Sequence, residues 1–334
     1  MNETDVRTDE IMDVDVSGTQ AEELGEGAGK SRRKKTVLLC ILVLLVICFI
    51  GVLYTVFRGL SPKGYQDYVV QKEQYFVEYS EEYDYWDVLT VEYPVLAGID
   101  SEIQEQINEQ MYETAMDRVN YWHLHPSDAV KAFQEDQFSI FCSDVTCDVT
   151  YHSQYLLSMD FYELYSAGHP IWNTNITERG LTADLLTGEI YELTDILEIN
   201  RDFIELWSEC YSKETGEETW DEEELDLILS WFLQEDEELK EYYESRPFYY
   251  VTEDKEFVIG ITLDPVLYAA ITYEPTARIW CTAMKPEELA PFQTQSGFWD
   301  KYEKSQATGE VLPCEDKKEN LWLGEGASIW DWDY

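Results

Sequence analysis

The sequence predicts an α+β protein: a single N-terminal transmembrane helix, then an extracytoplasmic region of antiparallel sheets with packed helices. Three observations predict it. Residues 36–57, TVLLCILVLLVICFIGVLYTVF, carry no charged side chain. Residues 138–193 alternate apolar and polar positions at strand period between turn signals. Apolar residues recur at helical spacing in 103–119 and again between 203 and 232.

Residues 1–35 are acidic, rich in Gly, Glu and Asp, and contain no aromatic side chain. They cannot bury enough apolar surface to offset the entropy of ordering, so a disordered tail is expected. The tail ends in Lys30, Arg32, Arg33, Lys34 and Lys35. At 1.5 Å per residue, residues 36–57 reach across roughly 30 Å of hydrocarbon. A signal-peptide core is shorter, and no small-x-small cleavage site follows directly, so an uncleaved signal anchor is the better reading. The basic cluster on its N-terminal side places 1–35 in the cytoplasm and the C-terminal bulk outside. The bilayer is thus an expected partner through 36–57.

Residues 58–86, punctuated by Pro62 and Gly64, read as a tether. Val88, Thr90 and Glu92 alternate with Leu89, Val91 and Tyr93 in a strand ending at Pro94. Ser101 and Gln104 fit a capping box, and Ile103, Ile107, Met111, Ala115 and Val119 mark the helix behind it, broken at Pro126. Phe138 to Tyr151 reads as a strand with an irregularity near Ser143–Asp144, and Tyr155 to Tyr165 as its antiparallel partner. Leu181–Leu185, a Thr187–Gly188 turn and Ile190–Leu193 form a further hairpin. Phe203, Ile204, Trp207 and Cys210 mark one helix, and Leu225, Ile228, Leu229 and Phe232 a second. A late hairpin spans Phe248–Val251 and Phe257–Leu263, and Ala277–Ala283 is a last strand. The domain reading is a first α+β domain over 87–178, a second over 179–290, and an acidic aromatic tail over 291–334.

The net charge of −46 excludes nucleic acid and anionic head groups as partners and favours cationic ones. Five cysteines follow the anchor: Cys142, Cys147, Cys210, Cys281 and Cys314. The odd count leaves at least one unpaired within the chain, and no pairing is assigned. No CxxC pair exists, so neither a structural zinc nor any other metal or cofactor is expected.

Several pieces, in order, resemble a known family. They are Tyr93–Pro94, a helix with Ile107–Asn108, then Leu156–Leu157–Ser158 and an aromatic run into Ala167–Gly168–His169–Pro170. Leu181–Thr182–Ala183–Asp184–Leu185, Thr187–Gly188–Glu189 and Leu193–Thr194–Asp195 follow, with the Phe248 hairpin and the Ile279-to-Leu289 end. Over about 87–290 the chain resembles the paired extracytoplasmic domains of RsiV-type anti-sigma factors, also found beside the deacetylase domain of PdaC-type enzymes. The family usually reads Gly-Gly-Ala-His at the bend, where this chain has Ser166–Ala167–Gly168–His169. The resemblance implies a non-catalytic binding or sensing module of a Gram-positive bacterium. Its implied ligand is a basic protein such as lysozyme or a cell-wall component, with a sigma factor as partner of the cytoplasmic tail. The alternative is a cell-wall accessory or enzyme of peptidoglycan modification, although no room remains after residue 290 for a deacetylase domain.

Candidate chemistry is sparse. Tyr165, Gly168 and His169 are the ligand-binding candidates, with His169 as a ligand contact or pH-sensitive element against a backbone-bonded bend. His123 and His125 could ligate a metal from a strand, but their Trp–Pro context reads as a turn. The carboxylate pairs Asp184/Glu189 and Asp160/Glu163 are expected by chance among 69 acidic residues. No Ser–His–Asp order, P-loop or G-x-G-x-x-G marks an enzyme. Asn175–Ile176–Thr177 is a glycosylation sequon, and the acidic runs 217–225 and 234–241 lack an EF-hand loop.

Overall fold

Alternation along residues 140–184 builds the centre of the molecule. In the computed structural model, which describes residues 64–77, 89–137, 140–168, 174–238, 240, 242–266 and 277–314, these residues form three long strands. They are preceded by β1 (Val69–Val77) and β2 (Leu89–Ala97) and are themselves β3 (Ile140–His152), β4 (Leu156–Gly168) and β5 (Thr174–Asp184). With β9 (Glu310–Leu312) they make one sheet in the order β5-β4-β3-β2-β1-β9. A second sheet, β6-β7-β8, consists of Tyr243–Val251, Phe257–Pro265 and Arg278–Met284. The expected tail 1–35, anchor 36–57 and residue His169 lie outside the described residues; among the described ones, no helix is long and apolar enough to cross a membrane.

The fold is α+β, as expected, but the large sheet is mixed. β3/β4, β4/β5 and β1/β2 are antiparallel, whereas β2/β3 and β1/β9 are parallel. Helices α1 (Ser101–Ala115) and α2 (Asp128–Gln137) carry the chain from β2 to β3, the crossover that a parallel pair requires. Pro94 does not end β2, because β3 pairs only with Leu89–Val91 and β2 is one-sided beyond. The cap of α1 is Asp100 rather than Ser101: its carboxylate accepts from Glu102 N at 3.1 Å and Ile103 N at 3.5 Å. Gln104 instead accepts from Gly98 N at 3.0 Å. Asn108 fastens α1 to β2, its amide giving to Leu96 O at 2.9 Å and accepting from Leu96 N at 2.7 Å.

The helical spacing buries Ile107, Met111 and Ala115 against one face of the large sheet, with Val145, Phe161 and Trp122 in the same core. The helix passes through a short π-helical stretch, Asn120–Leu124, before Pro126. The register of β3 and β4 slips between Val149 and Tyr151, not at Ser143–Asp144. The hairpin after β5 turns at Gly188, whose φ of 78° suits glycine, and pairs Ala183 with Ile190. It is shorter than expected, because Leu193–Ile196 winds into helix α3.

Helices α4 (Arg201–Thr215) and α5 (Glu222–Phe232) cover one face of the second sheet. Phe203, Ile204, Trp207, Ile228 and Phe232 pack there with Ile259 and Ile261, and Trp207 Nε1 donates to Ile259 O at 2.9 Å. Short helix α6 (Pro286–Leu289) and helix α7 (Gly297–Lys304) add Phe298, Trp299 and Tyr302 to that core. Two expected connectors therefore contain structure. β1 lies within the stretch read as tether, and α7 and β9 lie within the stretch read as tail. β1 and β9 lie at one edge of the sheet and bury little, Val70 being the fully buried residue of β1.

The two sheets meet at β5. Gly180 lies so close to β6 that a Cβ there would come within 1.9 Å of Tyr249 O. Thr262 Oγ1 donates to Glu178 O at 2.9 Å, which occupies backbone on the otherwise free edge of β5. Val251 N donates to Ser158 Oγ at 2.9 Å.

Candidate functional site

Because side chains alternate along β4 and β5, the junction has two unlike sides. Odd positions of β4 and β5 face α1 and the core, and even positions face away.

On the core side, Glu163 and Arg179 enter from β4 and β5, Asp117 and Arg118 from the turn after α1, Glu244 and Arg246 from β6, and Asp264 from β7. Arg179 donates to Glu163 at 2.8 Å and to Asp117 at 3.2 Å. Arg118 donates from Nε to Asp117 and from Nη2 to Glu244, both at 3.2 Å, and its Nε lies 3.0 Å from Asp264 Oδ2. Arg246 bonds Asp117 and Glu244. Ser143 donates to Glu163 at 2.7 Å. Glu163 and Asp264 are fully buried. Burial pushes both carboxyls up, and Arg179 beside Glu163 and Arg118 beside Asp264 oppose the shift. For Arg118 burial acts downward, and Asp264 and Asp117 overcome it, leaving the guanidinium firmly charged. Chemically this is a closed tie among helix, large sheet and small sheet.

Of the ligand-binding candidates, Tyr165 belongs to this tie: it is buried and its hydroxyl donates to Asp264. Burial and Asp264 raise its phenol well above the usual range. Gly168 ends β4 opposite Ile140. His123 lies in the π-helical stretch and His125 just after it, and no cluster able to hold a metal occurs among the described residues. Asp184 is buried, accepting from Tyr191 at 3.0 Å and pairing with Lys301 of α7, while Glu189 is exposed. Asp160 and Glu163 point to opposite faces of β4. The sequon residue Asn175 is buried and accepts from Ala277 N at 2.9 Å. Within the run 217–225, Asp221 caps α5 through Glu223 N at 2.9 Å and Glu224 N at 3.0 Å.

On the opposite side of the junction, Asp160 of β4 and Glu178 of β5 are acids without matching cations, unlike Asp184. Asp160 is directly across from Asp148, and Glu178 across from Tyr162. Cys281 of β8 donates to Glu178 at 3.8 Å, and Tyr250 of β6 also bonds it. Among the described residues no ion pair joins Asp160 or Glu178 to a cation. Burial, with Glu178 and Asp148 adding to it and Arg179 opposing, pushes Asp160 up to about 8. Its Oδ1 is shut off from solvent with no hydrogen-bond partner. Burial and Glu178 push the Cys281 thiol up to about 12.

This sets a pH-dependent prediction. As pH rises from about 4 to about 8, the unfolded chain ionises Asp160 before the folded one does, so this residue lowers stability across that window. Asp160→Asn is expected to match the parent near pH 4 and to exceed it by on the order of 2 kcal/mol at pH 8, a discounted share of the shift. Urea unfolding at both pH values checks this, and equal stability at pH 8 would refute it.

A separate cavity of about 280 Å³ opens beside the core-side tie, lined by Trp231, Gln234, Asp236, Lys240 and Glu244. Its Trp231 stacks on Trp280 with centroids 5.6 Å apart.

The core-side residues were hidden among the many acids of the sequence. Their signal was phase: Glu163 falls in step with Met159, Phe161 and Tyr165, the buried set of β4.

No family model matches the chain, and no curated protein matches it significantly. Among solved structures it is similar to a DUF3298 family member from Bacteroides fragilis, with a TM-score of 0.43 and 10% identity over 72% of this chain and 99% of that one. It is also similar to a DUF3298 family protein from Pseudomonas aeruginosa, with a TM-score of 0.36 and 12% identity over 71% of this chain and 97% of that one. DUF3298 denotes a domain of unknown function.

Proposed function

We propose that the chain is a membrane-anchored, extracytoplasmic binding or sensor module of a Gram-positive bacterium, without catalysis, whose outer region takes a basic protein such as lysozyme. One observation carries this reading. Residues 36–57 are uncharged and follow a basic cluster, while residues 1–35 hold nine acids against six bases, so the net charge of −46 belongs almost wholly to the part beyond the anchor. A surface of that sign attracts cationic partners and speeds their encounter. The resemblance over 87–290 to the outer domains of RsiV-type proteins supports the same ligand class.

The test is calorimetric titration of the detergent-solubilised full-length chain with lysozyme, and with cytochrome c as a protein of similar positive charge, across a salt series. Selective lysozyme binding is expected to survive 0.3 M salt, where exposed charges more than about 6 Å apart are largely screened. Equal binding of both proteins, lost together with salt, would overturn the reading.

A further inference from the structure

One end of the even-numbered face of β3, β4 and β5, at Leu156 and Asp184, packs against the second core and Lys301 of α7, whereas the part around Tyr162 has no helix over it among the described residues. Tyr162 stands 40% exposed at its centre, with Ile176 37% exposed beside it. At one end the face runs into a wall made by β6 and β8, where Tyr250 and Cys281 meet Glu178. Asp160 and Glu178 lie in that corner. Their counterpart on the core side of the same strands, Glu163, is matched by Arg179. In the corner no such match exists. Lys72 of β1 is already shared by Asp148 at 3.1 Å and Glu92 at 3.8 Å. Arg179 reaches Asp160 only through the sheet, its fork committed to Glu163 and Asp117. A buried carboxylate oxygen without a donor is costly, and its natural complement is a guanidinium or ammonium.

We propose that the open face of β3–β5, centred on Tyr162 and closed off by Asp160 and Glu178, is a docking surface for a lysine- or arginine-bearing face of a basic protein. This rests on the binding-module reading above and adds its location. Tyr162 and Ile176 supply flat apolar contact for the stem of a long cationic side chain, whose head reaches the two carboxyls. On docking, the Asp160 proton leaves to solvent as the cation takes its place. The charged and titratable groups facing Asp160 are Asp148 from β3, Glu178 from β5, Tyr250 from β6 and Cys281 from β8, with Lys72 and Glu92 behind Asp148 and Glu214 of α4 near Cys281.

The test uses the full-length chain in detergent at pH 7 with two probes, lysozyme and a heptaarginine peptide. Four proteins are compared: the parent, Asp160→Asn with Glu178→Gln, Tyr162→Ala, and a control of equal charge, Glu105→Gln with Glu109→Gln, on exposed positions of α1. The corner variant is expected to weaken both probes at least tenfold, and Tyr162→Ala about fivefold, with the control within twofold of the parent. Tyr162 is exposed enough that its truncation leaves folding intact, and thermal melts verify each variant. Parent binding is expected to release a proton, seen as a buffer-dependent heat in phosphate against Tris, and the corner variant, at saturating probe, to lose that dependence. If lysozyme binds while the corner variant stays within twofold of the control, the docking surface is wrong and the binding-module reading stands. If lysozyme fails but heptaarginine binds through Asp160, the surface stands and the lysozyme reading falls. If neither probe binds the parent, both fall.

Discussion

Arg118→Ala is expected to destabilise the protein by about 3–5 kcal/mol, the cost of leaving buried carboxylates without their partner. Asp264 is fully buried and has Arg118 Nε at 3.0 Å; Asp117 and Glu244 lose a donor as well. Only Arg246 and Arg179 would remain for four acids. The loss should grow with pH. The carboxyl of Asp264, already raised by burial, rises further without the guanidinium, so the folded variant binds protons that the unfolded chain has released. Urea unfolding at pH 5 and pH 8 measures both effects. A paired change, Arg118→Met with Asp264→Leu, removes both charges and should recover most of the loss, since buried ion pairs are often replaceable by apolar groups. A single-variant cost under about 1 kcal/mol would mean that water reaches the tie, contrary to the burial described.

Gly180→Ala is expected to cost about 3 kcal/mol, the upper end for forced overpacking, with Gly180→Val worse. An added Cβ meets the Tyr249 backbone at 1.9 Å, and backbone on both sides belongs to paired strands, so neither side yields easily. At this size the loss corresponds to a melting point lower by roughly 6–12 °C. The damage should be local in origin. Amide exchange in β6–β8 should accelerate more than in β1–β3, because β5 is where the small sheet holds to the large one. Uniform acceleration across both sheets, or an unchanged melting point, would contradict this.

The elements easiest to read were those whose buried residues repeat regularly. Phe203, Ile204 and Trp207 gave away α4, and the β6–β7 hairpin was visible from Phe248–Val251 and Phe257–Leu263. β1 escaped because its middle, Gln71 to Gln74, is polar: an edge strand needs little apolar content, and only Val70 is fully buried. α2 shows just Val130 and Phe133 to the core, too few to reveal a period. Parallel pairing of β2 with β3 could not be read, since periodicity fixes the face of a strand and not its neighbour. The polar site was harder still. Asp160 and Glu163 look like a pair in sequence, yet an odd separation in a strand sends them to opposite faces, one open and one sealed. Asp264 and Arg118 are 146 positions apart and meet only because the small sheet is held against β5, where Gly180 abuts Tyr249 of β6.

The pairing of β9 with β1 has a consequence for the order of synthesis. β1 is the first described strand and β9 the last, aligned from Val69 opposite Glu310 to Gln71 opposite Leu312. A growing chain cannot finish its large sheet until residue 312 has emerged. Until then the Val69–Gln71 end of β1 is an unshielded edge, the kind of template on which nascent chains join one another. A stop codon near residue 305 would leave that edge permanently bare, and would also remove the contact in which Glu310 N reaches Tyr68 O at 2.9 Å. Release of such a truncated product should yield oligomers and chaperone-bound material, even though every strand of the small sheet is already complete.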